Sequence, residues 1–308
     1  MDGVKTKMNS SSLFVIILNT NRKQDTLDAL ASLFENKYPN TTVVVLDNHS
    51  SDGSVLAIRK EFPQAQIIEL EKNLGYAGNN NIGIKEALRQ GADWILVLNE
   101  DTILDSECLD HLVEVGESDL HIGIVGPMVY HADEPDVIQS AGGSLGSWWR
   151  SSHIAQNEQD IGQFTAPHPV EWISGCAIML RRQVIEQIGG LDESFFYYWE
   201  ETDWCLRARE AGWSIMHVPK AKLWHKGVQR LYKPSVSVSY YNTRNRFMLF
   251  SKHNAPLRAW TFAWFETLRT MLSMSLRPKW RDNRVNRDAM VWGVIDFLRH
   301  RSGKRVGS

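Results

Sequence analysis

Between Leu13 and Leu98 the chain alternates four short apolar runs with three amphipathic stretches, and this alternation restricts the possible folds more than any other feature. The runs Leu13 to Leu18, Thr42 to Leu46, Gln66 to Leu70 and Trp94 to Leu98 are rich in Val, Ile or Leu and end in polar residues, as buried strands do. The stretches Asp25 to Glu35, Ser54 to Glu61 and Asn79 to Gln90 repeat apolar residues at helical spacing. Strand and helix in alternation predict βαβ units, hence an α/β fold with a mostly parallel sheet flanked by helices. Ligands of such sheets bind beyond the carboxyl ends of the strands, so the residues following each strand belong to one site.

Those residues are polar throughout. The first strand runs into Asn19-Thr20-Asn21-Arg22 and the second into Asp47-Asn48-His49-Ser50-Ser51-Asp52-Gly53. The third leads to Asn73-Leu74-Gly75-Tyr76-Ala77-Gly78-Asn79-Asn80-Asn81, and the fourth to Asn99-Glu100-Asp101. The set suits a nucleotide. Asp47 can accept hydrogen bonds from a base or ribose, whereas Asp52-Gly53 fits an Asx-turn or helix N-cap. No G-x-G-x-x-G follows the first strand, which disfavours a dinucleotide-dependent oxidoreductase.

A second informative block lies at Phe195-Phe196-Tyr197-Tyr198-Trp199-Glu200-Glu201-Thr202-Asp203-Trp204. Three carboxylates stand at the mouth of an aromatic cluster just where a helix starts. Partial desolvation raises a carboxylate's pKa and makes it a better proton acceptor, and aromatic faces hold sugar rings. Glu200, Glu201 and Asp203 are therefore candidates for a hydroxyl-activating base, with Tyr198 and Trp199 beside the acceptor. The bland alternative is a helix N-terminus that acidic residues favour electrostatically.

With 308 residues and 43% hydrophobic content, the chain can bury a full core. Cys108, Cys176 and Cys205 are widely spaced and odd in number, which points to neither a disulfide framework nor a thiolate zinc site, and fits a reducing compartment. The formal charge of −2 conceals an asymmetry: residues Ser251 to Ser308 carry 12 Lys and Arg against 4 Asp and Glu. A basic tail on an acidic body is expected to meet something anionic. Leu257, Trp260, Trp264, Leu268, Met271 and Leu272 recur there at helical spacing, interrupted by Arg258, Glu266 and Arg269. Such a helix suits a membrane interface, or packing on the body or a second copy, better than a bilayer span. The expected division is a flexible stretch 1–12, a catalytic unit 13–250 split near residue 101, and a basic helical region 251–308. No signal peptide or apolar run of about 18 residues occurs, so the expected location is cytoplasmic, with a peripheral place on the inner face of the membrane.

Taken together these motifs resemble inverting family 2 glycosyltransferases, in particular the rhamnosyltransferase-like bacterial members. The block at Phe195 to Gly212 resembles the family's F-F-x-Y-x-E-D-x-D-x-C-x-R-x-x-x-x-G, with Glu201 where Asp is usual. Asp47-Asn48-x-Ser50-x-Asp52-Gly53-Ser54 resembles D-N-x-S-x-D-G-S, and Asn73-x-Gly75-Tyr76-Ala77-x-Asn79-x-Asn81-x-Gly83 resembles the family's glycine loop. Asn99-Glu100-Asp101 takes the place of the metal-binding D-x-D, with Asn99 lacking the first charge.

The resemblance implies a GT-A fold and a nucleoside-diphosphate sugar donor of dTDP or UDP type. It also implies a glycan or lipid-linked acceptor and Mg2+ or Mn2+ held by Asp101 and completed by His225. Asn19, Asn21, Asp47, Asn48, Asn73, Gly75, Asn79, Asn99 and Glu100 are expected around the donor. Trp172, Ser174 and Gly175 match a block beneath the acceptor, and Arg244 opens the last helices, where it is expected to pair with Glu or diphosphate. No nucleic-acid partner is expected. The competing readings are a sugar-1-phosphate nucleotidyltransferase, which would carry a Gly-rich phosphate loop after the first strand, and a non-catalytic polysaccharide-assembly protein.

Overall fold

The computed structural model of the protein describes residues 10–227 and 234–305. Each apolar run of the first half forms a strand: β1 (Leu13–Asn19), β2 (Thr41–Asp47), β3 (Gln66–Glu69) and β4 (Trp94–Asn99). The helices between them are α1 (Lys23–Phe34), α2 (Ser54–Glu61) and α3 (Gly75–Arg89). Helix α3 starts four residues before the expected Asn79. The side-chain oxygens of Asn73 and Asn79 accept from the amides of Gly75 and Leu74, at 2.8 and 3.0 Å, so the first turn is capped before the amphipathic residues begin.

Beyond β4 come β5 (Thr102–Leu104), α4 (Cys108–Ser118), β6 (Ile122–His131), β7 (Ile138–Ser140) and the short pair β8 (Gly143–Ser144) and β9 (Ser152–His153). Next are β10 (His168–Pro169), β11 (Ala177–Arg181), α5 (Arg182–Ile188), α6 (Glu200–Glu210) and β12 (Ser214–His225). The large sheet has the order β10-β12-β6-β11-β4-β1-β2-β3, with β5 on β12 and β7 on β6. Pairs β4–β1, β1–β2, β2–β3 and β12–β6 are parallel, and β11 joins the two parallel groups by running antiparallel to both β4 and β6. Alternate residues of β1 enter opposite layers, Phe14 and Ile16 on one face and Leu13, Val15 and Ile17 on the other. Both faces are covered, which is why these strands read as unbroken apolar runs.

Only Ala177–Arg181 of the stretch from Glu171 is strand; before it the chain folds over Gly143, whose amide donates to the Trp172 carbonyl at 2.8 Å. Strand β12 carries a bulge, where Val218 pairs with Pro127 and Lys222 with Met128, leaving Pro219, Lys220 and Ala221 extra.

The C-terminal helices are α7 (Val236–Lys252), α8 (Leu257–Leu276) and α9 (Arg284–Leu298), with a 3-10 turn at Pro278–Asn283. The boundary expected after residue 250 falls inside α7, and α9 packs along that helix: Tyr240 Oη donates to Asp296 at 2.7 Å and Phe247 faces Phe297 with centroids 5.4 Å apart. Trp260 and Trp264 of the expected exposed stripe stack on Phe247 instead. What remains open on α8 is Leu257, Phe265, Leu268, Leu272 and Leu276. At 100° per residue these five lie within one face. Among the described residues no helix is long and apolar enough to cross a membrane. The three cysteines are free and buried. Of the N-terminal stretch, residues 1–9 lie outside the described residues, while Ser12 is held by Asp93, whose Oδ2 accepts from its amide at 2.7 Å.

Candidate active site

The parallel register sets the strand ends side by side, Asn19 opposite Asp47 and Leu18 opposite Asn99. Asn19 is fully buried, and its Nδ2 donates to Asp47 Oδ1 at 2.7 Å and to the hydroxyls of Ser50 and Ser54 at 3.0 Å. This fixes the Asp47 carboxylate, whose Oδ2 also accepts from the Ser50 amide at 3.0 Å. Asn21, with φ of 53°, accepts from the Ser51 amide at 2.8 Å and so ties the first loop to the second. Asn48 donates to Thr20 Oγ1 at 3.2 Å while its buried Oδ1 has no partner. Asp52 accepts from the Ser54 amide two residues on, at 3.0 Å, the Asx-turn expected before α2. In the third loop Asn73, Asn79 and Gly75 spend their polar groups on the loop itself, and Asn81 is tied at 2.9 Å to both the amide and the carbonyl of Leu191.

Asn99, Glu100 and Asp101 leave β4 together, and the last two have opposite electrostatics. Burial first, and the Asp101 charge second, push the Glu100 carboxyl up to about 7. Burial also opposes ionisation of Asp101, but His225 and Arg22 outweigh it and hold that carboxyl below its ordinary value. His225, the last residue of β12, brings Nε2 within 3.0 Å of Asp101 Oδ1. Even so, Oδ1 is buried without an aligned hydrogen-bond donor. Gly227 closes this corner: a Cβ there would lie 2.1 Å from Asp101 Oδ2. An ionised carboxylate and an imidazole aimed at the same small space fit a divalent cation, whose preferred ligands they are.

The acid block starts on a strained loop. Phe196, Tyr198 and Trp199 have φ of 63°, 70° and 76°, in the left-handed region that costs a bulky residue about 1–3 kcal/mol. The restraint comes from α7. Asn245 Nδ2 donates to the carbonyls of Phe195, Tyr197 and Tyr198, each at 2.9 Å, and Arg244 donates to Phe195 O at 3.0 Å. Arg244 was expected to meet Glu or diphosphate. Instead its buried guanidinium serves backbone carbonyls, including Gly303 O at 2.7 Å, and lies over the rings of Tyr240 and Tyr241.

The three carboxylates of the block separate into different environments. Asp203 is fully buried and ion-paired with Arg207, Lys252 and His253 at 2.8, 2.8 and 2.9 Å. Placed as a candidate base, it proves to be committed to the fold. Glu200 is buried with Oε2 unpartnered, and burial followed by the Glu201 charge raises its pKa well above the ordinary value. Glu201 is half-buried, and burial raises its pKa as well.

On the acceptor side, a Cβ on Gly175 would lie 3.6 Å from Glu201 Cγ and 3.7 Å from Tyr76 Oη, and Tyr76 Oη donates to Gly175 O at 2.6 Å. Ser174 and Gly175 therefore border Glu201. Trp172 does not offer a platform: it is 3% exposed, packed under Gly143 and edge-on to His153. Tyr198 and Trp199 stay partly open, with Trp199 Nε1 donating to Asn242 at 3.1 Å. Sequence reasoning missed Asn245 as the holder of the loop and Tyr76 as the link between the halves. The polar residue in the Tyr240–Asn245 block was the available signal for the first; for the second, a tyrosine in a glycine loop gives none.

The family profile "Glycosyl transferase family 2" matches residues 14–189. The N-acetylglucosaminyl-diphospho-decaprenol L-rhamnosyltransferase of Mycobacterium tuberculosis is 28% identical over 261 residues, covering 77% of this chain and 85% of that protein. The dTDP-rhamnosyl transferase RfbF of Shigella flexneri is 26% identical, covering 80% and 83%. The low-salt glycan biosynthesis hexosyltransferase Agl10 of Haloferax volcanii is 28% identical, covering 95% and 92%. In fold the chain is similar to the mannosyltransferase PcManGT from Pyrobaculum calidifontis, solved with GDP-Man and Mn2+, at a TM-score of 0.59 and 16% identity over 94% of this chain and 88% of that one. It is also similar to GalNAc-T7, solved with UDP, GalNAc and Mn2+, at a TM-score of 0.64 and 13% identity over 96% of this chain but 58% of the other. A parallel first half, joined through an antiparallel strand to an acid-bearing second half, is the GT-A architecture, and the chain belongs to glycosyl transferase family 2.

Proposed function

We propose that this glycosyltransferase moves a deoxysugar, rhamnose first among the candidates, from a dTDP- or UDP-linked donor to a glycan or lipid-linked acceptor with inversion at the anomeric carbon. The named activities of the Mycobacterium and Shigella relatives support the sugar, the nucleotide and the lipid-linked acceptor. The observation that carries the chemistry is the contrast among Glu200, Glu201 and Asp203. Only Glu201 combines a raised pKa with access to the cleft beside Gly175. It takes the proton from the acceptor hydroxyl as that oxygen attacks the anomeric carbon from the face opposite the leaving diphosphate. Bond formation and bond cleavage on opposite faces give inversion in one displacement.

Asn19 orients Asp47 for the base or ribose, with Asn21, Asn48 and Asn99 lining the same rim. Asn73, Gly75 and Asn79 shape the loop through the side-chain oxygens of the two asparagines, and Asn73 stays exposed beside the donor. Asp101 and His225 would hold Mg2+ or Mn2+, which neutralises charge developing on the departing diphosphate. Asp101 Oδ1 without a donor and the Gly227 corner support that role. Among the described residues no third carboxylate, Cys or His joins them, so diphosphate oxygens and water would complete the shell. Glu100, pushed up to about 7, adds less negative charge near the donor than an ordinary carboxylate would.

The open face of α8 supports a peripheral place at an anionic bilayer surface, because Arg269, Arg277, Lys279, Arg281 and Arg284 are exposed alongside it. Release of nucleoside diphosphate from dTDP-rhamnose with Mn2+, accelerated by a lipid-diphosphate-linked N-acetylglucosamine and leaving a rhamnosylated product, is the expected result. No transfer from any dTDP- or UDP-sugar to lipid-linked or free glycans would overturn the reading.

A further inference from the structure

Gln139 belongs to a polar layer behind His225 that no motif announces. It is 4% exposed and sits on β7, which pairs with β6 through Ser140 opposite Val129 and Ile138 opposite Tyr130. Gln139 is therefore the extra residue of a bulge, a device that redirects a side chain, commonly next to an active site. The bulge turns it to His225 on the far side of β6, where Oε1 lies 3.1 Å from Nδ1. An amide oxygen can only accept, so Nδ1 carries the proton. A ligating imidazole is neutral and carries that one proton, so with a cation bound Nε2 offers its lone pair beside Asp101 Oδ1, 3.0 Å away. Turned the other way, the amide would donate to Nδ1, place the proton on Nε2 and abolish ligation.

We propose that Gln139 is a positioning residue that fixes the His225 tautomer and ring orientation, so that Nε2 is ready to ligate the divalent cation beside Asp101. The inference rests on the reading of Asp101 and His225 as metal ligands. Partners of this kind are worth about 10- to 100-fold in metal affinity, because an unheld ring must be oriented and set in one tautomer on binding. Nothing in the role requires Gln139 to touch the substrate, and its burial behind the histidine keeps it from doing so.

The test is Mn2+ affinity in the presence of nucleoside diphosphate, read by electron paramagnetic resonance, with spin-echo modulation reporting a coordinated imidazole nitrogen. The full-length chain is compared with His225→Ala, Gln139→Leu and Gln139→Glu. The expected pattern is loss of the nitrogen signal in His225→Ala, an affinity about 10- to 100-fold weaker in Gln139→Leu, and near-native affinity with the signal retained in Gln139→Glu, which also accepts from Nδ1. Native affinity and nitrogen coupling in Gln139→Leu, while His225→Ala loses both, overturn the role of Gln139 alone. An unchanged His225→Ala overturns the metal reading itself. Should Gln139→Leu fail to fold, Gln139→Glu decides: a folded glutamate variant without nitrogen coupling overturns the proposal.

Discussion

Gly75 and Phe196 meet where only a hydrogen fits: a Cβ on Gly75 would lie 2.3 Å from the Phe196 carbonyl oxygen and 2.5 Å from its ring. Its φ of +79° is also one that side chains resist. The amide of Tyr76 donates to the same carbonyl at 2.8 Å, so the glycine loop and the acid loop form one unit. Gly75→Ala is expected to cost about 1–3 kcal/mol in stability and to lower kcat more than it weakens donor binding, because it displaces the loop leading to Glu201. Denaturant unfolding together with single-turnover kinetics checks both; native values in the two measurements refute the coupling.

Asp101→Asn keeps shape and removes charge. Calorimetry should find nucleoside diphosphate binding with Mn2+ at least about 10-fold weaker, and binding without the metal little changed. Equal affinity in the mutant and native proteins with Mn2+ present would remove Asp101 from the metal site.

Glu201→Gln is close to isosteric and cannot accept a proton, so kcat is expected to fall on the order of 100-fold with donor affinity kept. Because burial raises the Glu201 pKa, native kcat should climb as pH rises through that value and level off above it. The limb should vanish in the variant. If Glu200→Gln removes turnover and Glu201→Gln spares it, the two glutamates exchange roles.

His253 links Asp203 to Glu210, at 2.9 and 2.7 Å. Burial opposes its protonation, but the two carboxylates prevail and its pKa stands above the ordinary 6.5. A pKa higher in the folded than in the unfolded state gives stability that is complete below about 6.5 and fades as pH rises through the folded value. The stability lost in His253→Gln should therefore be largest in mild acid, above the range where Asp203 and Glu210 protonate, and shrink in alkali. A pH-independent difference between the two proteins rules this out.

The open α8 face gives a prediction about lipid. The native chain should co-sediment with anionic vesicles at low salt and be released by added salt, since each basic residue near the surface contributes about 1 kcal/mol. Leu268→Glu with Leu272→Glu should abolish the binding without unfolding the protein. Retention in the supernatant would defeat the idea, and a concentration-dependent dimer broken by the same substitutions would assign the face to a second copy.

The first half was legible because strand burial on both faces leaves unbroken apolar runs, and because Asn19, Asp47 and Asn99 end their strands, so the register alone brings them together. The second half was harder. Trp172 is expected beneath the acceptor, yet lies packed under Gly143, and such stacking between distant segments leaves no periodic trace. Asp203 and Arg244 look like reactive groups by type; their roles are decided by Lys252, His253 and Gly303, which lie 49 to 59 residues away along the chain. Helix α8 shows why amphipathic spacing misleads when a helix is apolar on two sides. Trp260 and Trp264 share the repeat with Leu257 and Leu268 but lie at the edge of that face, where they turn to Phe247.

The hydrogen bond from Arg244 to Gly303, and that from the Gly303 amide back to Ser194 O at 2.6 Å, set an order of events during synthesis. A nascent chain can pair β3, β2, β1 and β4 of its sheet as soon as β4 emerges. The loop before α6 gains its last two ties, at Ser194 and Arg244, only after the segment around Gly303 has cleared the ribosome. Until then the acid loop is held by Asn245 and Arg244 of α7 without the tie at Gly303, so the segment that carries Glu200 and Glu201 is the last part of the body to be secured.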